Sequence, residues 1–250
     1  MNPTLVLCAH GTDDPAGRAV VLEIASNLAV RLPGVRVEVA YVDVQRPALG
    51  EVVDAVVAAS GQAVVVPVLL TLGYHTEVDV AEAVAGHRGR VISTGPLGPH
   101  PLLESALVDR LREAGVADGT PVVVGLAGSS RAEAAEVGRG VASRVQDLWN
   151  GPVSVGFLAA AEPSVTQAVS AARGDGPVAV ASYLIGPGFF QNRLAQAGGD
   201  IVAGPLGAHP GLVQVAVQRY LFGAAALGGR SGNPIDDADH LGTAGPTVAA

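Results

Sequence analysis

The chain repeats itself, and no other feature limits its fold as much. The segment Thr94-Gly-Pro-Leu-Gly-Pro-His-Pro101 returns as Ala203-Gly-Pro-Leu-Gly-Ala-His-Pro210, with six of the eight residues identical at an offset of 109. Two matches precede it in the same order. Leu7-Cys-Ala-His-Gly-Thr12 aligns with Val124-Gly-Leu-Ala-Gly-Ser129, and Pro67-Val-Leu-Leu-Thr-Leu-Gly-Tyr-His75 aligns with Ser182-Tyr-Leu-Ile-Gly-Pro-Gly-Phe-Phe190. Chance rarely keeps such matches in order, so the chain is read as two similar domains, residues 1–115 and 120–222. Residues 223–250 are rich in Gly, Ala and Asp with little periodicity and read as a flexible tail.

Within the first copy, strand and helix signals alternate. The apolar run Thr4 to Ala9 breaks at His10-Gly11-Thr12, and Asp14-Pro15 supplies a cap followed by proline at the first helical position. Val20, Val21, Ile24, Ala25, Leu28 and Leu32 fall at helical spacing, and Pro33-Gly34 closes that helix. The cycle continues with strands near 35–42, 63–70 and 90–93, and helices from Pro47, over 77–85 and over 101–112. The chain is 49% apolar with only 4% aromatics, which suits Val- and Leu-rich strands buried between helices. The expected class is α/β, with two tandem similar domains, each a central parallel sheet flanked by helices. Such sheets bind ligands at the carboxyl ends of their strands, so His10 and His75, each just after a predicted strand, are candidates for one crevice.

Comparing the copies sharpens that choice. His10 corresponds to Ala127 and His75 to Phe190, so both strand-end histidines are absent from the second copy while its turns persist. A histidine needed only for packing survives about as often as its neighbours, so the paired loss points to joint function. His100 and His209 are present in both copies and read as structural. Thr76-x-x-Asp79 has a competing account as a helix capping box, and Glu77 is either a solvated helix-start carboxylate or a metal or proton ligand. Cys8, the only cysteine, is read as a small buried apolar residue; no intrachain disulfide or Cys-based zinc site is available. A net charge of −8 argues against nucleic acid. The sequence shows neither a signal segment nor an apolar run of the ~18–20 residues a membrane span needs, so a cytoplasmic protein without membrane association is expected.

His10-Gly11-Thr12 followed by Pro67-Val-Leu-Leu-Thr-Leu-Gly73-Tyr-His75-Thr-Glu-Val-Asp79, with Gly95-Pro-Leu-Gly-Pro-His100, resembles the class II tetrapyrrole chelatases. The nearest type is the sirohydrochlorin and cobalt chelatases of siroheme and cobalamin synthesis, in a two-domain long form. Two departures stand out: Val80-Ala81 replaces the family's usual Ile-Pro, and Thr12-Asp13 replaces its Ser-Arg. The resemblance implies one active site per chain, in the N-terminal copy, with the second copy degenerate. It implies His10 and His75 as metal ligands and catalytic groups with Glu77, and Gly11, Thr12, Gly73 and Arg46 (or Arg18) toward the tetrapyrrole. No permanent cofactor is implied; Fe²⁺, Co²⁺ or Ni²⁺ is a substrate. The implied assembly is a monomer or homodimer.

The chemistry suits those residues. Metal insertion requires a divalent ion to shed water, enter four ring nitrogens and displace two pyrrole protons. Paired neutral imidazoles hold Fe²⁺, Co²⁺ or Ni²⁺ loosely and leave coordination positions open. Imidazole also accepts protons near neutral pH, and Glu77 is placed to pass one to solvent. The glycines at 11 and 73 would admit a flat macrocycle close to the backbone. Because the substrate is polyanionic and the chain acidic, the cleft is expected to be locally less acidic than the whole. The rival reading is a non-catalytic carrier or sensor of divalent metal that uses the same histidines. A nucleotide-binding module is discounted because no GxGxxG or P-loop spacing occurs.

Overall fold

The computed structural model describes residues 2–71, 74–129 and 132–230. The first half runs β1 (Thr4–Ala9), α1 (Pro15–Arg31), β2 (Val37–Tyr41), α2 (Leu49–Ser60), β3 (Ala63–Pro67), α3 (Tyr74–Ala85), β4 (Val91–Ser93) and α4 (Pro101–Glu113). The second repeats the order with β5 (Val122–Leu126), α5 (Ala132–Leu148), β6 (Val153–Phe157), α6 (Val165–Ala172), β7 (Ala179–Tyr183), α7 (Phe189–Ala195), β8 (Ile201–Val202) and α8 (Pro210–Arg230). Each half contributes one parallel sheet, ordered β2-β1-β3-β4 and β6-β5-β7-β8. This is the α/β arrangement that the alternating pattern predicts.

The repeat holds residue by residue. Cys8 pairs with Pro67 across β1 and β3, and Gly125 pairs with Ser182 across β5 and β7. Counting forward from each pair, His75 and Phe190 are both the second residue of their helices, α3 and α7. The loops match as well. The turns after β2 and β6 hold Val44 and Ala160 at φ 59 and 57, and Arg46-Pro47 and Glu162-Pro163 are both cis.

Burial follows the strand period. Leu5, Leu7 and Ala9 face one core, while Val6 and Cys8 face another beneath α2 and α3. A third cluster lies beneath α6 and α7. The central cluster is shared between halves because the terminal helices are exchanged. Helix α4 follows β4 of the first sheet but packs on β7 and α5 of the second, and α8 follows β8 but packs on β3, β4 and α1 of the first. The packing units are therefore not contiguous stretches of chain.

Three local expectations need correction. Helix α3 begins at Tyr74, so Thr76 lies inside its first turn and Thr76-x-x-Asp79 is not a capping box. Helix α2 begins at Leu49 rather than Pro47; its start is held by the Glu51 carboxylate, which accepts the Ala48 N–H at 3.1 Å. The tail expected from residue 223 does not begin there, because α8 continues to Arg230. A Cβ on Gly223 would lie 2.6 Å from Val64, so this glycine admits close packing against the first sheet, and Leu227 is buried. Residues 231–250 lie outside the described residues.

Candidate active site

The strand order places a topological switch point at β1 and β3, where ligands of open parallel sheets collect. A cavity of about 300 Å³ opens there between the two halves. The first half lines it with His10, Gly11, Thr12, Gly17 and Gln45, and the second with Leu184 to Gln191. An adjoining cavity of about 210 Å³ shares His10 and extends to Thr71, Ala127 and Tyr183. None of the described residues lining these two cavities is acidic. A larger groove of about 680 Å³ lies elsewhere, around Asp109, Arg110, Arg112, Glu113 and His209. Most of its charges are paired with one another, as in Arg110–Glu113 and His209–Asp109.

The loop carrying His10 is held from several sides. The Asp43 N–H donates to the His10 carbonyl at 3.0 Å, and the Thr12 N–H donates to Gln45 Oε1 at 2.9 Å. Thr12 Oγ1 accepts the Asp14 N–H at 3.1 Å, and Arg18 Nε donates to the Thr12 carbonyl at 2.8 Å. Asp14 caps α1 by accepting the N–H groups of Ala16 and Gly17. The His10 side chain itself is exposed to the cleft.

Gly11, which lines the cleft, also has a packing role. Its φ is +102, and a Cβ would lie 2.2 Å from the Asp43 carbonyl oxygen. Gly128 in the second copy has φ +85, with a Cβ 1.9 Å from the Ala159 carbonyl. The glycine therefore serves loop packing in both copies. Gly73 lies outside the described residues; its counterpart Gly188 has φ +140 at the start of α7. The His75 backbone sits in the first turn of α3, and its side chain lies outside the described residues. Glu77 is in the same turn and lines a neighbouring cavity of about 270 Å³ with Thr71, Gly98 and Glu133. Arg46 is not brought to the cleft: it is 75% exposed and pairs with Glu51 at 2.5 Å. Arg18, in the first turn of α1, is tied to the Thr12 loop.

Cys8 is fully buried, and burial, with Asp79's negative charge second, pushes its thiol up to about 12, so it stays protonated and inert. Tyr183 lines the inner cavity, and burial followed by the charge of Glu104 raises its hydroxyl above the ordinary range. His100 and His209 prove to be helix caps. Each Nδ1 accepts a backbone N–H two residues on, from Leu102 at 3.2 Å and Gly211 at 3.0 Å.

Three features escaped sequence reasoning. Asp43, an exposed carboxylate on the turn that holds His10, corresponds to Ala159. The test that singled out the histidines, polar in one copy and apolar in the other, finds it too. Gln45 corresponds to Ala161 by the same offset. Phe189 and Phe190 stand on the cleft lip; the repeat marked Phe190 only as the residue in place of His75. Among the described residues, no group of three or more His, Cys, Asp or Glu is clustered to hold a metal ion.

Known proteins agree with this architecture. A sirohydrochlorin cobaltochelatase of Methanococcus maripaludis is 33% identical over 86 residues, 34% of this chain and 60% of the relative, so the match spans less than two thirds of that protein. SirB of Bacillus subtilis with Fe³⁺ superposes with a TM-score of 0.80 at 20% identity, over 92% of this chain and 98% of its own. SirB of Bacillus subtilis subspecies spizizenii, a sirohydrochlorin chelatase solved with cobalt, gives 0.75 at 17% identity over 92% and 98%. At these identities the superpositions speak to the fold. The CbiX family model matches the chain twice, over residues 4–114 and 121–221, the two copies that share these strands, turns and caps, and the chain belongs to the CbiX family.

Proposed function

We propose that the chain is a chelatase that inserts a divalent metal ion, Fe²⁺, Co²⁺ or Ni²⁺, into sirohydrochlorin or a related tetrapyrrole. The observation that carries this reading is the asymmetry between two otherwise matched copies. Both keep the strand ends, the glycine turn and the helix caps, but only the first carries His10, Asp43 and His75. These positions surround the switch point of one parallel sheet beside an uncharged cleft. The printed names of the relatives, sirohydrochlorin chelatases and a cobaltochelatase, support the same substrate class.

In this reading His10 and His75 hold the incoming ion and leave positions open for ring nitrogens. Asp43 supplies a carboxylate beside His10, and Glu77, on the turn that carries His75, receives protons released from the pyrroles. The N-terminal copy carries the single site, Arg18 is better placed than Arg46 to meet a substrate carboxylate, and the metal is cargo rather than cofactor. Among the described residues no helix is long and apolar enough to cross a membrane, which fits a water-soluble substrate.

The test is an absorbance assay of sirohydrochlorin with Co²⁺ or Fe²⁺, with and without the protein. Acceleration well above the spontaneous rate is expected. A metal carrier or sensor would bind the ion and leave the rate unchanged, and that result would replace the chelatase reading.

A further inference from the structure

Across the cleft from His10, the second copy presents an exposed aromatic lip. Phe189 is 70% exposed and Phe190 37%, in a chain with four phenylalanines in all. Both line the cavity that His10 lines. Their rings meet edge to face with centroids 5.3 Å apart and planes at 70°. They are not needed to anchor α7, because Leu194 is the residue of that helix buried in the core. The Arg193 guanidinium lies over the Phe189 ring, 5.7 Å from its centroid, and pairs with no carboxylate among the described residues. Four of the residues that line the cavity are glycines, Gly11, Gly17, Gly186 and Gly188.

We infer that Phe189 and Phe190 form the wall against which the tetrapyrrole ring lies, with Arg193 at its rim to take a peripheral carboxylate. This rests on the function proposed above. Exposed adjacent aromatics beside a polar group mark a binding surface, and three features select the occupant. Glycines in the lining beside an exposed aromatic pair suit a flat ring. The described lining holds no acidic residue, and the unpaired Arg193 guanidinium lies against the Phe189 ring, which suits a polycarboxylate. Finally, Phe190 occupies in α7 the place His75 occupies in α3. Duplication has thus divided one position between two tasks: a metal ligand in one copy and a macrocycle contact in the other.

The experiment uses the full chain and measures three quantities: sirohydrochlorin binding without metal, Co²⁺ binding without tetrapyrrole, and KM against kcat for insertion. Phe190→Ala is expected to weaken ring binding and raise KM about tenfold, while Co²⁺ affinity stays unchanged. Phe190→Tyr, which keeps the aromatic face, restores binding to within about twofold. Arg193→Gln costs about threefold, more at low salt than at high. Phe222→Ala removes a similarly exposed ring on α8 and is expected to change nothing. If the wild type metallates the ring while Phe189→Ala/Phe190→Ala binds it normally, the wall is wrong and the chelatase reading stands. If the wild type neither binds nor metallates the ring, both fall. Concentration-dependent self-association that Phe190→Ala abolishes, with ring binding unchanged, would assign the lip to a second copy of the chain and overturn the inference.

Discussion

After β1 the chain turns through His10 and Gly11; after β5 it turns through Ala127 and Gly128 in the same conformation. In each case the glycine fits beneath a carbonyl of the neighbouring turn, Asp43 in the first copy and Ala159 in the second. The scaffold is duplicated to within a few residues, but the residue types carried on these turns are not. The first copy offers His10 and Asp43 with His75 in the first turn of α3, and the second offers Ala127, Ala159 and Phe190. The difference separates what the fold requires from what the chemistry requires. Residues found in both copies hold turns and cap helices, and residues found in one copy are free to serve a ligand.

The strongest way to break this comparison is to remove the histidines. His10→Ala and His75→Ala are each expected to lower metal insertion by at least about 100-fold, the scale of a lost acid–base or metal-holding group. The thermal melt should be unchanged, because neither residue has a counterpart in the second copy, which folds without one. Near-normal turnover in either variant would remove that histidine from the site.

The next effect is on stability and concerns the exchanged helices. Glu104 on α4 is fully buried, and its Oε1 accepts from Arg144 Nε at 3.1 Å and from the terminal nitrogen at 2.9 Å. The other copy has Val213 and Asn27 at these places. Arg144→Ala strands a buried carboxylate and is expected to cost about 3 kcal/mol in denaturant unfolding. The double variant Glu104→Val/Arg144→Asn copies the other interface and should recover most of that loss. A double variant no better than the single one would show that the two exchanged helices are not equivalent in packing.

Gly11→Ala and Gly128→Ala are expected to cost about 2 kcal/mol each, because both force a Cβ into a carbonyl at positive φ. Similar losses in chemical denaturation would confirm one structural role in two places. A loss confined to Gly128, with Gly11→Ala altering only substrate binding, would return Gly11 to the site. The smallest effects belong to the caps: His100→Ala and His209→Ala should each cost about 1 kcal/mol and leave the rate per folded molecule unchanged. Lost activity with an unchanged melt at His100 would move that residue into the mechanism.

Local features were readable because their causes are local. The bounds of β1 follow from one apolar run, and the start of α1 from Asp14 and Pro15, whose cap and proline act within a few residues. The start of α3 was misread because Thr76 and Asp79 mimic a capping box inside a helix that had already begun. The end of α8 was misread because Gly223 and its alanine-rich neighbours look like a tail until the first sheet is placed beside them. The histidine pair was visible because the repeat supplied an internal comparison. Asp43 was equally visible by that measure, but the alignment reached the turns after β1 and β3 and stopped short of the one after β2.

The sequence by itself determined the class of fold, the duplication and the choice of His10 and His75, since each depends on residue type, order and spacing along the chain. The tertiary structure decided the exchange of α4 and α8, which ties the halves through one central core. It also decided which aromatic rings share a cavity with His10. These are matters of packing between segments far apart in the chain. Periodicity reports that a helix has an apolar face, but the same face fits either of two similar sheets, and only the assembled molecule shows which sheet it covers.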